Sequence, residues 1–134
     1  DEARAALARA QALDPLSLIT STIAGYPDYY ERRYEEAERQ FTRVLQLDPQ
    51  FSMAHFRRGL ALTQLGRYDA AEAALEISRR LSGDRDVVAA LGRLWALRGD
   101  ADRARAAMDE LRERSRETFV PAYALAVIEA ALGR

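Results

Sequence analysis

The chain repeats itself every 34 residues, and that period limits its fold more than any other feature. The stretch "RAQALDP" at 9–15 returns as "RVLQLDP" at 43–49, so Leu13, Asp14 and Pro15 stand 34 residues before Leu47, Asp48 and Pro49. The same step links Ala3, Ala37 and Ala71, and it links Leu7, Phe41 and Leu75. The next step shortens to 33, taking Ala71 to Ala104 and Leu75 to Met108. Gly25, Gly59 and Gly92 keep this rhythm, as do Gly66, Gly99 and Gly133. A unit this short cannot bury its apolar face alone, so successive copies must stack into a solenoid.

Inside each unit the pattern is helical. "MAHFRRGLALTQLG" ends at Gly66 and "YDAAEAALEISRRLSG" at Gly83, both placed as C-terminal caps. Ala71, Leu75, Ser78 and Leu81 recur at helical spacing, as do Val88, Leu91 and Trp95, whereas no useful length alternates with period two. The expectation is an all-α chain. An apolar content of 49% and a charged content of 31% suit a helical array. The net charge of -1 gives no basic footprint for nucleic acid, and no apolar run reaches the length of a membrane span. All 20 basic residues are Arg, which supplies planar forks suited to carboxylates and aromatic faces. Without Cys there is neither a disulfide nor a thiolate metal site.

Two helices per 34 residues resembles the tetratricopeptide repeat. The residues that carry the resemblance are the small first-helix positions Gly25, Gly59 and Gly92 and the second-helix positions Ala37, Ala71 and Ala104. Tyr34, Tyr68 and the closing "LDP" at 13–15 and 47–49 complete the match. The resemblance implies a right-handed α-α superhelix of about eight helices. Its phase gives a half repeat at 1–15, full repeats at 16–49, 50–83 and 84–117, and a half repeat at 118–134. The chain would open on a second-type helix at about 2–13 and close on a first-type helix at about 119–132, as a fragment of a longer array would. "ERRYEEA", "SRRLSGDRDVVAALGRLWALRGD" and "FVPAYALAVIEAALG" look like a bacterial group of such arrays. In that group the array is commonly joined to a winged-helix regulator, kinase or cyclase domain. The implied compartment is the cytoplasm.

The repeat register places Pro27 inside a first-type helix at 17–30, followed by a tight turn at Glu31–Arg33. Proline removes a backbone hydrogen bond there and crowds the carbonyl of Ile23, costing about 3 kcal/mol unless the helix kinks. The expectation is a kink and not a break. The inward stripe of that helix reads Ser21, Ala24, Gly25 and Asp28, and that of the next reads Ala54, Arg58, Ala61, Leu62 and Leu65. Opposite charges interrupt neighbouring stripes, and a lone buried charge is costly. Arg58 is therefore expected to reach Asp28, with Glu38 and Glu72 as rivals and escape to solvent as the alternative.

No catalytic constellation stands out. His55 is the single histidine, placed at a helix start or repeat junction, and a zinc site would need more ligands. No cofactor or metal is expected and no enzyme activity is assigned. The resemblance implies a concave surface lined by first-type helices. By phase it carries Ile19, Thr22, Ile23, Tyr26, Tyr29 and Tyr30, then Met53, Phe56, Arg57, Leu60 and Gln64. Ala89, Arg93, Leu97, Tyr123 and Val127 complete it. Tyr26, Tyr30, Phe56, Arg57, Arg93 and Tyr123 are the candidate partner-binding residues, because aromatics with Arg make binding hot spots. Some members of the family clamp a peptide's terminal carboxylate with Lys and Asn. Here those places hold Thr22, Tyr26, Met53, Arg57 and Ala90, which does not match. Three functions stay open: a scaffold binding a protein or peptide in the groove, a spacer that self-associates head-to-tail through its terminal helices, and a sensory region governing an attached regulator. No nucleic acid or membrane is an expected partner.

Overall fold

A computed structural model describes residues 2, 15–116 and 121–133. The helix expected at 2–13 and the start of the one expected at 119 lie outside these residues. The described elements are α1 (Pro15–Ile23), α2 (Tyr26–Tyr30), α3 (Tyr34–Leu47), α4 (Ser52–Gln64), α5 (Tyr68–Ser82), α6 (Arg85–Leu97), α7 (Ala101–Ser115) and α8 (Ala122–Leu132). No strand occurs among the described residues. Both α1 and α2 pack on α3, α4 packs on α5, and α6 packs on α7. Within the first-type layer α1 meets α4, α4 meets α6, and α6 meets α8. The result is a two-layer helical solenoid.

The pairs close over small residues. A Cβ added at Gly25 would lie 2.7 Å from the Phe41 ring, and one at Gly59 would lie 2.6 Å from Leu75. One at Gly92 would lie 2.5 Å from Ile128 and 3.0 Å from the Ala107 methyl. Ala37, Ala71 and Ala104 are fully buried opposite them, beside Phe41 and Leu75. Enclosing a Phe or Leu side chain this completely is worth roughly 1.5–3 kcal/mol. Leu81 shares the helical spacing of Ala71, Leu75 and Ser78 but is 39% exposed in the last turn of α5.

The turn between helices repeats at atomic detail. After α2 the amide of Arg33 donates to Asp28 O and that of Arg32 to Tyr29 O. After α4 the pairs are Arg67 to Leu62 and Gly66 to Thr63, and after α6 they are Asp100 to Trp95 and Gly99 to Ala96. This double closure needs one left-handed residue. Gly66 (φ 74) and Gly99 (φ 83) fill that position, but in the first turn Arg32 does (φ 63). The expected turn at Glu31–Arg33 thus carries a strained side chain.

The first-type helix around Pro27 is interrupted, not kinked. α1 ends at Ile23 and α2 starts at Tyr26, although Gly25 keeps right-handed dihedrals (φ -83, ψ -10). Pro27 has no amide to offer Ile23 O. The chain tightens ahead of it: the Gly25 amide donates to Thr22 O, three residues back. Gln40 Nε2 of α3 then donates to Ser21 O at 3.0 Å. Thr22 Oγ1 donates to Leu18 O at 2.8 Å, a back-bond that favours bending. The inward stripe is accordingly Leu18, Thr22 and Gly25, and Ala24, expected on it, is exposed.

The charges inside the stripes find partners other than those expected first. Arg58 Nε donates to Glu38 Oε1 at 2.8 Å, with side chains 29% and 17% exposed. Asp28 is taken by Arg33, whose Nε lies 3.0 Å from Oδ1. Arg33 sits just across the tight turn, so it reaches Asp28 at little conformational cost and leaves Arg58 to the second-type helix.

Arg32→Gly is expected to raise stability by about 0.5–1 kcal/mol, because relief of left-handed strain outweighs the glycine's extra unfolded-state freedom. Urea unfolding checks it, and Gly66→Arg should move the midpoint the opposite way. Gly59→Ala should destabilise by about 1–3 kcal/mol despite its better helix propensity. In a Leu75→Ala background most of that loss should vanish, a coupling that a double-mutant cycle measures.

Candidate functional site

A groove of about 460 Å³ crosses the first-type layer. Its wall at α2 is built from tyrosines. Tyr26 and Tyr29 each meet Tyr30 edge-to-face, at 6.4 and 5.5 Å between ring centres, and Tyr29 meets Tyr34 at 5.4 Å. These edge contacts set positive ring edges against negative faces and hold the cluster as a unit. Burial raises the pKa of the Tyr29 hydroxyl, and a hydrogen bond with Gln64 of α4 offsets part of that rise.

Phe56 and Arg57 of α4 form the ridge of the groove. The Arg57 guanidinium lies 4.2 Å from the Tyr26 ring centre and 5.5 Å from that of Phe56. Its Nε is buried without a hydrogen-bond partner. A smaller recess of about 230 Å³ lies on the other side of the ridge and shares Phe56, Arg57 and Asp86 with the groove. Arg93 of α6 lines the groove floor beside Ala89 and Ala90. Tyr123 of α8 stands at the far rim, 55% exposed, and its hydroxyl donates to Asp86 Oδ1 at 2.9 Å.

The six candidate residues therefore gather on one surface. Tyr30, Phe56, Arg57, Arg93 and Tyr123 line the groove, and Tyr26 lines the recess beneath Arg57. Leu60, Gln64, Ala89 and Val127 also line it. Thr22, placed there by phase, is instead fully buried. Asp86 is the residue the sequence did not single out. Its contact with Tyr123 spans 37 residues, which is no multiple of the repeat, so periodicity could not reveal it.

The serine hydroxyls and the imidazole near the site are engaged with the backbone. Ser52 and Ser78 join α4 to α5: their hydroxyls lie 2.9 Å apart, and each hydroxyl lies within donating distance of the other's carbonyl. His55, at the junction between repeats, donates from Nε2 to Pro49 O at 2.7 Å. Among the described residues no cluster of three or more His, Cys, Asp or Glu is placed to hold a metal. None of the helices searched there is long and apolar enough to cross a membrane. The chemistry on offer is recognition by rings, apolar floor and guanidinium groups.

Tyr123 should titrate above the ordinary tyrosine range, because it donates to Asp86 and lies beside that charge. A folded-state pKa that is raised means the contribution is fully present below the ordinary value and is lost as pH rises through the folded one. Ultraviolet difference titration should show late tyrosines, Tyr29 and Tyr123, of which the Tyr123 component moves earlier in Asp86→Asn.

Residues 28–86 match the family model of the tetratricopeptide repeat. No curated protein sequence matches the chain. Among solved structures, a chain of the CopN-Scc3 complex superposes with a TM-score of 0.67 at 18% identity, over 90% of this chain and 70% of that one. The small-residue contacts and the double-closed turns extend the same geometry to α6 and α7, beyond the matched stretch. The tetratricopeptide repeat is thus matched over residues 28–86, within a two-layer helical solenoid that continues beyond them.

Proposed function

We propose that the chain is a protein-interaction scaffold that binds a peptide or helical segment of a partner protein in the groove between α2, α4, α6 and α8. One observation carries the reading. Exposed rings and two arginines converge on a single apolar-floored groove, the composition of energetic hot spots. The Ser52 and Ser78 hydroxyls and the histidine have backbone partners, which favours binding over catalysis. The similar solved structure is itself a protein complex, which supports a protein as the partner. A place in a bacterial regulatory or signalling protein, in the cytoplasm, fits the same reading.

The test is a quantitative pull-down from lysate of the source organism with the chain and with a Tyr26→Ala, Arg57→Ala, Arg93→Ala variant of equal helicity. Truncating such hot-spot residues should cut capture by about tenfold or more. Equal capture by both would reject the groove.

A further inference from the structure

Most arginines outside the groove are spent on carboxylates. Arg58 reaches Glu38, Arg67 reaches Glu35, Arg79 reaches Glu110 and Arg98 reaches Asp69, each bracing different helices. The two groove arginines are not spent in this way. Neither Arg57 nor Arg93 has an ion pair among the described residues, although Asp86 lines the same groove. Asp86 accepts from Tyr123 instead.

Arg57 is also held in one pose. Its guanidinium lies over the Tyr26 ring with Phe56 beside it, while its Nε is withdrawn from water with no acceptor. Stacking fixes the plane of the fork, so less freedom is lost when an acceptor docks. Two groove cations without a carboxylate partner favour an anionic ligand, and the surroundings say more about it. Leu60, Ala89, Ala90 and Val127 make the adjoining surface apolar, which does not suit a freely hydrated phosphate or a polyanion.

We infer that the groove recognises an internal segment of a partner protein in which an Asp or Glu side chain lies beside apolar side chains, with the carboxylate seated on Arg57 and Arg93. This rests on the groove-binding reading above and adds the chemistry of the ligand. The carboxylate pairs with the Arg57 guanidinium, Arg93 supplies a second cation from the neighbouring helix, and the apolar neighbours cover the groove floor. A charge-assisted, ring-backed contact of this kind is stronger than an exposed ion pair.

The test is selection of a displayed random dodecapeptide library against the chain and against Arg57→Gln and Arg93→Gln variants of matched helicity and unfolding midpoint. Display fuses each peptide through its C-terminus, so any selected carboxylate is a side chain. The unmutated chain should enrich peptides with Asp or Glu next to Leu, Ile or Phe. Synthetic copies should bind each variant about tenfold or more weakly, and replacing the acid by its amide should weaken binding by a similar factor. Enriched peptides without acids, sensitive to Tyr26→Ala or Phe56→Ala but not to the arginine variants, would overturn the carboxylate assignment and leave the groove standing. Peptides insensitive to all these variants, or no enrichment, would overturn both.

Discussion

Everything in this solenoid depends on how closely paired helices approach at a residue without a side chain. Gly25 accepts the Phe41 ring and Gly59 accepts Leu75, each at a distance where a single methyl would collide. Such contacts fix the spacing of two helices more tightly than apolar pressure alone, because close-packed interiors do not yield by fractions of an ångström. The third glycine works differently. Gly92 receives Ile128 from the following first-type helix as well as Ala107 from its own partner. That draws α8 against α6 and brings Tyr123 within reach of Asp86.

The parts of the fold that were legible in the sequence are those that recur. Glycine and alanine at fixed phase announced the close contacts, and the helix ends followed from Gly66 and Gly83. Side chains that break the pattern were harder to place. The charges at Asp28 and Arg58 were recognisable as needing partners, but the choice depended on local reach. Arg33, five residues from Asp28, lies just across the turn and captures it, so Arg58 turns to Glu38. Proline at 27 signalled a disturbed helix, but the outcome was set by Gln40 of α3, which takes up the carbonyl of Ser21. Thr22 looked like a groove residue by its phase in the repeat. Its bond to Leu18 O satisfies it inside the core.

The candidate site was legible to the extent that phase alone gathers side chains on one face. Six residues on four helices meet there. What phase could not supply was their state. A sequence shows that Arg57 and Arg93 are charged, and only packing shows that one is stacked with its Nε enclosed. The same net charge of -1 would describe a chain whose arginines were all neutralised. Here the local balance, not the total, gives the groove its character.

The bond between Tyr123 and Asp86 has a geometric consequence. Both residues stand second in their helices, so the bond bridges one border of the groove. At the opposite border, where α2 ends, the Tyr30 ring is open to solvent. A furrow with one fastened lip and one open lip has no internal two-fold symmetry. A segment lying in it would meet different neighbours in its two chain directions, so the surface distinguishes a peptide sequence from the same sequence reversed.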